Sequence, residues 1–381
     1  VGTAFHRPIG ETDCVGCGQC AAVCPTGAIV VKNNISEVWK ALSDKDTMVT
    51  IQIAPAVRVA VGRELGLNDG DNSMGVIVAA LRRMGFDQIY DTSTAADLTV
   101  MEESAELLEH VTAGNELPLF SSCCPAWVRF CETRYPELME HVSSCKSPMQ
   151  MFAAVIREQF RQEPKKHVHV ALMPCTAKKR EAIREEFRAA DGTQMVDHVL
   201  TTQEFVQMVK ESGILLNRIQ PEAVDMPFGT MAGAGVIFGT TGGVTEAVLR
   251  RISDNKRGDG IVYQSIRGLD GVKEVRIPYG EKTLHIGVVS GLGNAEKLIQ
   301  RIKEGEHFDF IEVMACPGGC INGAGQPFVH SAEKKARSHG LYNADRMCSI
   351  RSSEENPLIE TLYNGLLKGR EHELLHVEYR K

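Results

Sequence analysis

Residues 49–54 read VTIQIA, 74–85 MGVIVAALRRMG, 88–92 QIYDT and 98–111 LTVMEESAELLEHV. The first and third are short β-branched runs. The second and fourth repeat their apolar residues with helical period, and Gly85 is placed to close the first helix. Strand, helix, strand, helix in that order is the signature of strands laid parallel, because a parallel pair needs a crossover between them. Outward from this stretch, further strands are expected at PLFSS (118–122), VHVALM (168–173), GVIFG (235–239), HIGVVS (285–290) and FDFIEVMA (308–315), with helices between them. The expectation is a large α/β unit with mixed or parallel sheets flanked by helices.

The chain has 381 residues, 43% of them apolar and 24% charged, the balance of a globular protein with a sizeable core. A net charge of -7, with both signs mixed along the chain, leaves no basic stripe and argues against a nucleic-acid partner. No run approaches the roughly 20 apolar residues of a spanning helix, so membrane insertion is not expected. The chain opens VGTAFHRP, without a methionine or a signal-like segment, and is expected to be processed or to start partway through a longer one. A cytoplasmic location is expected, with a periplasmic one left open.

Twelve cysteines fall in groups: Cys14, Cys17, Cys20 and Cys24; Cys123 and Cys124; Cys175; Cys316 and Cys320; with Cys131, Cys145 and Cys348 alone. Grouped cysteines in a large chain point to metal rather than disulfides. CVGCGQCAAVCP (14–25) has the C-x2-C-x2-C-x3-C-P spacing that lets one loop wrap a cubane iron–sulfur cluster. Zinc fits less well, since structural zinc sites bring two C-x2-C pairs together from a distance. In two-cluster ferredoxins the fourth cysteine of a run ligates the other cluster, and no second run follows here. Cys24 therefore either closes the same cluster or serves one whose other ligands lie upstream. Residues 1–35 read as a small ferredoxin-like unit with a short helix after each cysteine group and a strand at Ala28–Val31. Residues 36–46 read as a linker that includes a helical pattern, and 47–381 as the large unit.

Cys123, Cys175 and Cys316 each follow an expected strand, and ligand sites of α/β sheets lie outside the carboxyl ends of strands. Three loops thus carry the chemistry: SSCCPAW (121–127), MPCTAKKRE (173–181) and EVMACPGGCINGAGQP (312–327). The cysteines of these loops are enough to supply the four thiolates that a second cubane needs. These segments resemble, in order, the three signatures of the [FeFe]-hydrogenase H-domain. IAPAVR (53–58), ADLTVMEE (96–103), FGTTGGVTEA (238–247) and IRGLDGVKE (266–274) are similar too. Ser121 stands where the family usually has threonine and Ala324 where it has glycine.

The resemblance implies a two-lobed H-domain with the active site in its cleft, and an H-cluster: a [4Fe-4S] cubane on Cys124, Cys175, Cys316 and Cys320. Cys320 would bridge it to a diiron subcluster carrying CO, cyanide and an azadithiolate. At least one additional [4Fe-4S] cluster would sit on the N-terminal motif. Lys178 is implied as a donor to cyanide, and Ala54, Pro55 and Ala56 as the loop closing over the subcluster, with Ala56 lacking the hydroxyl some relatives have. Met173, Pro174 and Met314 are implied as packing residues, and Gly318, Gly319, Gly323 and Gly325 as sites of close backbone approach to the cofactor.

The implied reaction interconverts H2 with protons and electrons. Cys123, free of a metal role, matches the family's proton-relay thiol; Glu103, Glu106 and Ser143 match its relay carboxylates and serine. Glu103, Glu106 and His110 share one helix face at i, i+3 and i+7, so His110 is an added exit group. Ferredoxin or electron-transfer subunits would exchange electrons through Cys14–Cys24, and maturation proteins would insert the subcluster. Two rivals within the family are an iron–sulfur assembly protein and a sensory member. A simple ferredoxin-type carrier would leave most of the chain unexplained.

Overall fold

The computed structural model describes residues 3–115, 117–189 and 191–379; the ends of the two expected units at residues 1–2 and 380–381 lie outside them. Eight strands form two sheets: β1 (Thr47–Ile53), β2 (Gln88–Asp91), β3 (Leu119–Phe120), β4 (Lys166–Met173), β5 (His198–Thr201), β6 (Val272–Tyr279), β7 (Lys282–Ser290) and β8 (Phe310–Met314). The first sheet runs β2-β1-β4-β5 and is parallel throughout; the second runs β3-β8-β7-β6, with only β6 antiparallel. Every residue of β1 is buried, which is why VTIQIA reads as a continuous run without alternation. Helices cover both sheets, and the expected α/β architecture holds.

Several local expectations are corrected. GVIFG is not a strand: Gly233–Val236 is helical and Ile237–Gly239 a 3-10 turn. A Cβ on Gly235 would stand 2.3 Å from the Ser93 carbonyl, so the segment packs directly on a neighbouring helix. A short apolar run cannot tell a buried helix from a buried strand. Ala28–Val31 is not a strand either, and the helix of the first unit, Gln19–Ala22, lies inside the cysteine group. Segment 36–46, read as a linker, carries the helix Ile35–Ser43, whose Ile35 and Val38 are buried in the core of the first sheet. Strands β5 and β6 were not expected.

The helix Ser93–Ala113 begins directly after β2 and is wholly buried through Val100 before it reaches toward the surface. It is a rod from the cleft outward. Residues beyond 330 wrap the molecule with the helices Ser331–Met347, Pro357–Asn364 and Glu371–Leu375. They are tied down by buried ion pairs, Arg250 to Asp345 at 2.8 Å and Arg337 to Asp69 at 3.0 Å. Among the described residues no helix is long and apolar enough to cross a membrane.

Candidate active site

The carboxyl ends of β1, β2, β4, β3 and β8 empty into one cavity. Its wall includes Ala54, Pro55 and Ala56 after β1, Thr92 after β2, Cys123 and Cys124 after β3, and Met173, Pro174, Cys175 and Lys178 at the end of β4 and beyond. Met314, Cys316 and Cys320 complete it from β8. Strands from both sheets are needed to bring the four predicted thiols together. Each of Cys175, Cys316 and Cys320 has its thiol pushed up, first by burial and then by the nearby sulfurs; Cys175 reaches about 12. Three thiols so disfavoured as isolated thiolates, with Cys124 beside them in the same wall, fit a site where metal takes the place of protons. The donor set of four sulfurs in an apolar wall suits a cubane.

The loop after β8 owes its shape to glycine. Gly319 has φ +89°, and a Cβ there would meet the Thr241 amide nitrogen at 2.5 Å; on Gly323 a Cβ would meet the Pro174 carbonyl at 2.2 Å. These glycines let loop backbones pack on one another, and both also line the cavity. Gln326, which sequence reading left without a role, clasps the cavity: its Nε2 donates to the Ala56 carbonyl at 3.0 Å and the Cys320 carbonyl at 3.4 Å. Buried Glu312 accepts from the Gly242 and Thr245 amides at 2.7 and 2.8 Å, fixing FGTTGGVTEA to β8.

Lys178 is buried beside the cavity, where Nζ donates to Glu181 Oε2 at 2.8 Å and to the Cys123 carbonyl at 3.2 Å. Burial opposes its charge, but Glu181 more than compensates and keeps the ammonium. Two of its three protons are thereby assigned, leaving one for the cavity. Glu181 was quoted with its motif, but its partner emerges only from the fold.

Behind Cys123 lies a line of polar groups. The Cys123 thiol is pushed well up by burial and then by the charge of Glu103. Both carboxyl oxygens of Glu103 are buried with no hydrogen-bond partner among the described residues. Burial, then repulsion from Glu106, lifts this acid to about 8. Glu106 goes the other way: burial opposes its charge, but His376, Ser143 and Ser144 hold it below the usual range. Ser143 Oγ donates to Glu106 Oε2 at 2.5 Å, and Ser144 donates to Oε1. Two carboxyls one helical turn apart therefore differ in acid strength. The expected fifth member, His110, is not among them. Its Nε2 bonds the Leu117 carbonyl at 2.5 Å and its Nδ1 accepts from Asn115 at 2.9 Å, so it locks the loop that ends its own helix.

The N-terminal loop docks on this site. Thr176 Oγ1 donates to the Gly16 carbonyl at 2.8 Å, and Gln19 Nε2 reaches Cys316 Sγ at 3.2 Å. The Cys17 thiol is raised by burial and by the charges of Cys20, Cys14 and Cys124, so three of the four motif cysteines share one neighbourhood beside the cavity. Cys24 has polar contacts of its own further along the loop. Thr26 Oγ1 lies 3.5 Å from its sulfur, and that hydroxyl with the backbone amides of Ile29, Thr26 and Ala28 lowers its pKa to about 6.

Residues 47–324 match the model of the iron-only hydrogenase large subunit, C-terminal domain; 331–381 match that of the iron hydrogenase small subunit, and 8–30 a 4Fe-4S binding domain. The chain is 44% identical to the NADP-reducing hydrogenase subunit HndD of Solidesulfovibrio fructosivorans, across 100% of this chain and 68% of that one. It is 38% identical to iron hydrogenase 1 of Clostridium pasteurianum, across 94% and 65%. It thus spans about two thirds of the length of both relatives. A solved [FeFe]-hydrogenase of Chlamydomonas reinhardtii superposes with TM-score 0.79 at 38% identity, covering 91% of this chain and 99% of that one. More distantly, cytosolic iron-sulfur assembly component 3 of Bos taurus is 28% identical over 96% of this chain and 83% of its own.

Proposed function

The chain belongs to the iron-only hydrogenase family, and on that premise we propose that it interconverts H2 with two protons and two electrons at an H-cluster. When bound, that cluster supplies the redox site at which hydrogen is split or formed. One observation carries the reading: Cys124, Cys175, Cys316 and Cys320 reach a single buried cavity from three loops, beside Cys123 and Lys178. Those four thiols would hold the cubane, with Cys320 bridging to a diiron subcluster that carries CO, cyanide and azadithiolate. The remaining proton of Lys178 would bind a cyanide, a charge-assisted hydrogen bond in a dry site. Ala54, Pro55, Ala56, Met173, Pro174 and Met314 would enclose the group and exclude water.

On the outward route Cys123 Sγ gives its proton to Glu103, Glu103 to Ser143 Oγ, and Ser143 to Glu106 Oε2. Glu103 suits the inner step because an acid lifted to about 8 exchanges protons near neutrality. Electrons would pass by way of the cluster on Cys14, Cys17 and Cys20 to ferredoxin or an electron-transfer subunit. A cytoplasmic location agrees with twelve free cysteines. An assembly role, as in the distant relatives, would need neither Cys123 nor a carboxyl line behind it.

The test is infrared spectroscopy of the chain produced with maturation proteins, alongside an active hydrogenase matured by the same set. Bands of iron-bound CO and cyanide together with H2 turnover are expected. Cubanes without such bands and without turnover, while the reference enzyme is active, would overturn the reading in favour of assembly.

A further inference from the structure

His376 lies in the C-terminal segment, far in sequence from every motif, yet it touches the outer end of the carboxyl line. Its Nδ1 is 2.7 Å from Ser144 Oγ, and Ser144 in turn donates to Glu106 Oε1. On the other side of the ring Nε2 is 2.9 Å from Glu102 Oε2, and Tyr363 donates to the second oxygen of Glu102. Glu106, Ser144, His376 and Glu102 therefore form a continuous hydrogen-bonded chain. The side chains of His376 and Glu102 are 9% and 17% exposed, so the chain ends at the protein surface.

Resting on the proton route proposed above, we propose that His376 is its outer relay, joining Glu106 to solvent through Glu102, the task that sequence reading gave to His110. In the outward direction the Glu106 proton moves to Ser144 Oγ and the Ser144 proton to His376 Nδ1. The Nε2 proton moves to Glu102 and on to water. One proton enters the ring at Nδ1 and one leaves from Nε2, and water-mediated transfer of the remaining ring proton from Nδ1 to Nε2 restores the starting tautomer. Run in reverse, the same chain feeds protons inward. An imidazole suits the post because its two nitrogens face opposite directions, so one can accept a proton while the other gives one up.

The charged and titratable surroundings of the ring agree. The long helix presents Glu102 and Glu106, the segment just before the helix Pro148–Gln159 Cys145 and Lys146, the helix Pro357–Asn364 Tyr363, and its own segment His372, stacked at 4.9 Å. Burial disfavours the imidazolium, but its bonds to Glu102 and Glu106 prevail and raise it to about 9. The ring therefore rests with the relayed proton stored as imidazolium over the neutral range, and a proton leaves Nε2 before Nδ1 takes the next.

The matured enzyme and its His376→Gln, Glu106→Gln and His110→Ala variants are compared for H2 evolution and oxidation across pH, in H2O and D2O. His376→Gln should lower turnover about tenfold or more, raise the solvent isotope effect, and be partly rescued by added imidazole. His110→Ala should match the parent. If His376→Gln retains full turnover and an unchanged isotope effect while Glu106→Gln collapses, this inference is overturned and the inner route stands. If Glu106→Gln is also fully active, the route itself is wrong. A second readout is independent of turnover: the His376 imidazole, followed by NMR in the cluster-free chain, should titrate well above an ordinary histidine and move down in Glu102→Gln. An ordinary titration in the parent overturns the proposal even if the glutamine variant fails to fold.

Discussion

A carboxyl group buried without a hydrogen-bond partner, as Glu103 is, costs a fold free energy, and such groups cluster where chemistry needs them. The cost has a pH signature. The unfolded acid ionises near 4.5 while the folded one holds its proton to about 8, so stability falls as pH rises across that window. Glu103→Gln should therefore leave stability near pH 4 almost unchanged and raise it, relative to the parent, by an amount that grows to pH 8 and then stays level. The expected size is of the order of a few kcal/mol, read from chemical denaturation of matched cluster states. Turnover of the same variant should drop by about 10² or more, and a variant that is neither more stable nor slower would remove Glu103 from the route.

Adjacent cysteines offer a second discrimination at this scale. Cys123→Ala should keep its iron and its CO and cyanide bands while losing nearly all turnover, whereas Cys124→Ala should lose the H-domain cubane. Iron analysis with infrared spectra separates the two, and equal iron loss in both would deny Cys123 its relay role. The cysteine roles, Lys178 and the relay residues were all legible as motif positions. Glu181, Glu102 and His376 were not, because each acts through a partner that the fold supplies.

Among the elements, the loop after β8 is the most exacting. Gly319 combines a positive φ with backbone 2.5 Å from where a Cβ would stand, so no side chain can be absorbed by a rotamer change. Gly319→Ala should displace Cys316 and Cys320 relative to Cys175, giving a protein with parental circular dichroism but a markedly lower iron content. Parental iron in that variant would show that the loop yields. Periodicity located β1, β4, β7 and β8, whose apolar runs are bounded by turn residues. It failed at GVIFG, where five small or apolar residues carry too little pattern, and helix or strand is decided by what packs against them. It also passed over β6, whose exposed positions alternate with buried ones against a single partner, β7.

For the whole molecule, the C-terminal wrap is the feature with the widest reach. Leu341, Leu367 and Leu375 are buried, and Ser353 and Asn356 donate to buried Asp97 at 2.7 and 2.9 Å. Residues 331–381 match a small-subunit model, and Phe328, just before them, is exposed. The chain should therefore tolerate a break between Phe328 and Ser331. Both pieces co-expressed should copurify as a 1:1 complex, and the piece ending at Phe328 should aggregate when made alone because it exposes that core. Independent, soluble behaviour of the larger piece would show that the wrap is dispensable.

By itself the sequence determined the covalent chemistry: which cysteines come in ligand groups, that the large unit is α/β, and that three loops follow strand ends. These are local properties, written in spacing of a few residues and in hydrophobic period. Only the tertiary structure decided that the loops of two separate sheets share one cavity, and that the group hydrogen-bonded beyond Glu106 is His376 rather than His110. Helical spacing brought His110 to the same face, but a hydrogen bond needs a partner at contact distance, and that distance is set by packing between segments hundreds of residues apart.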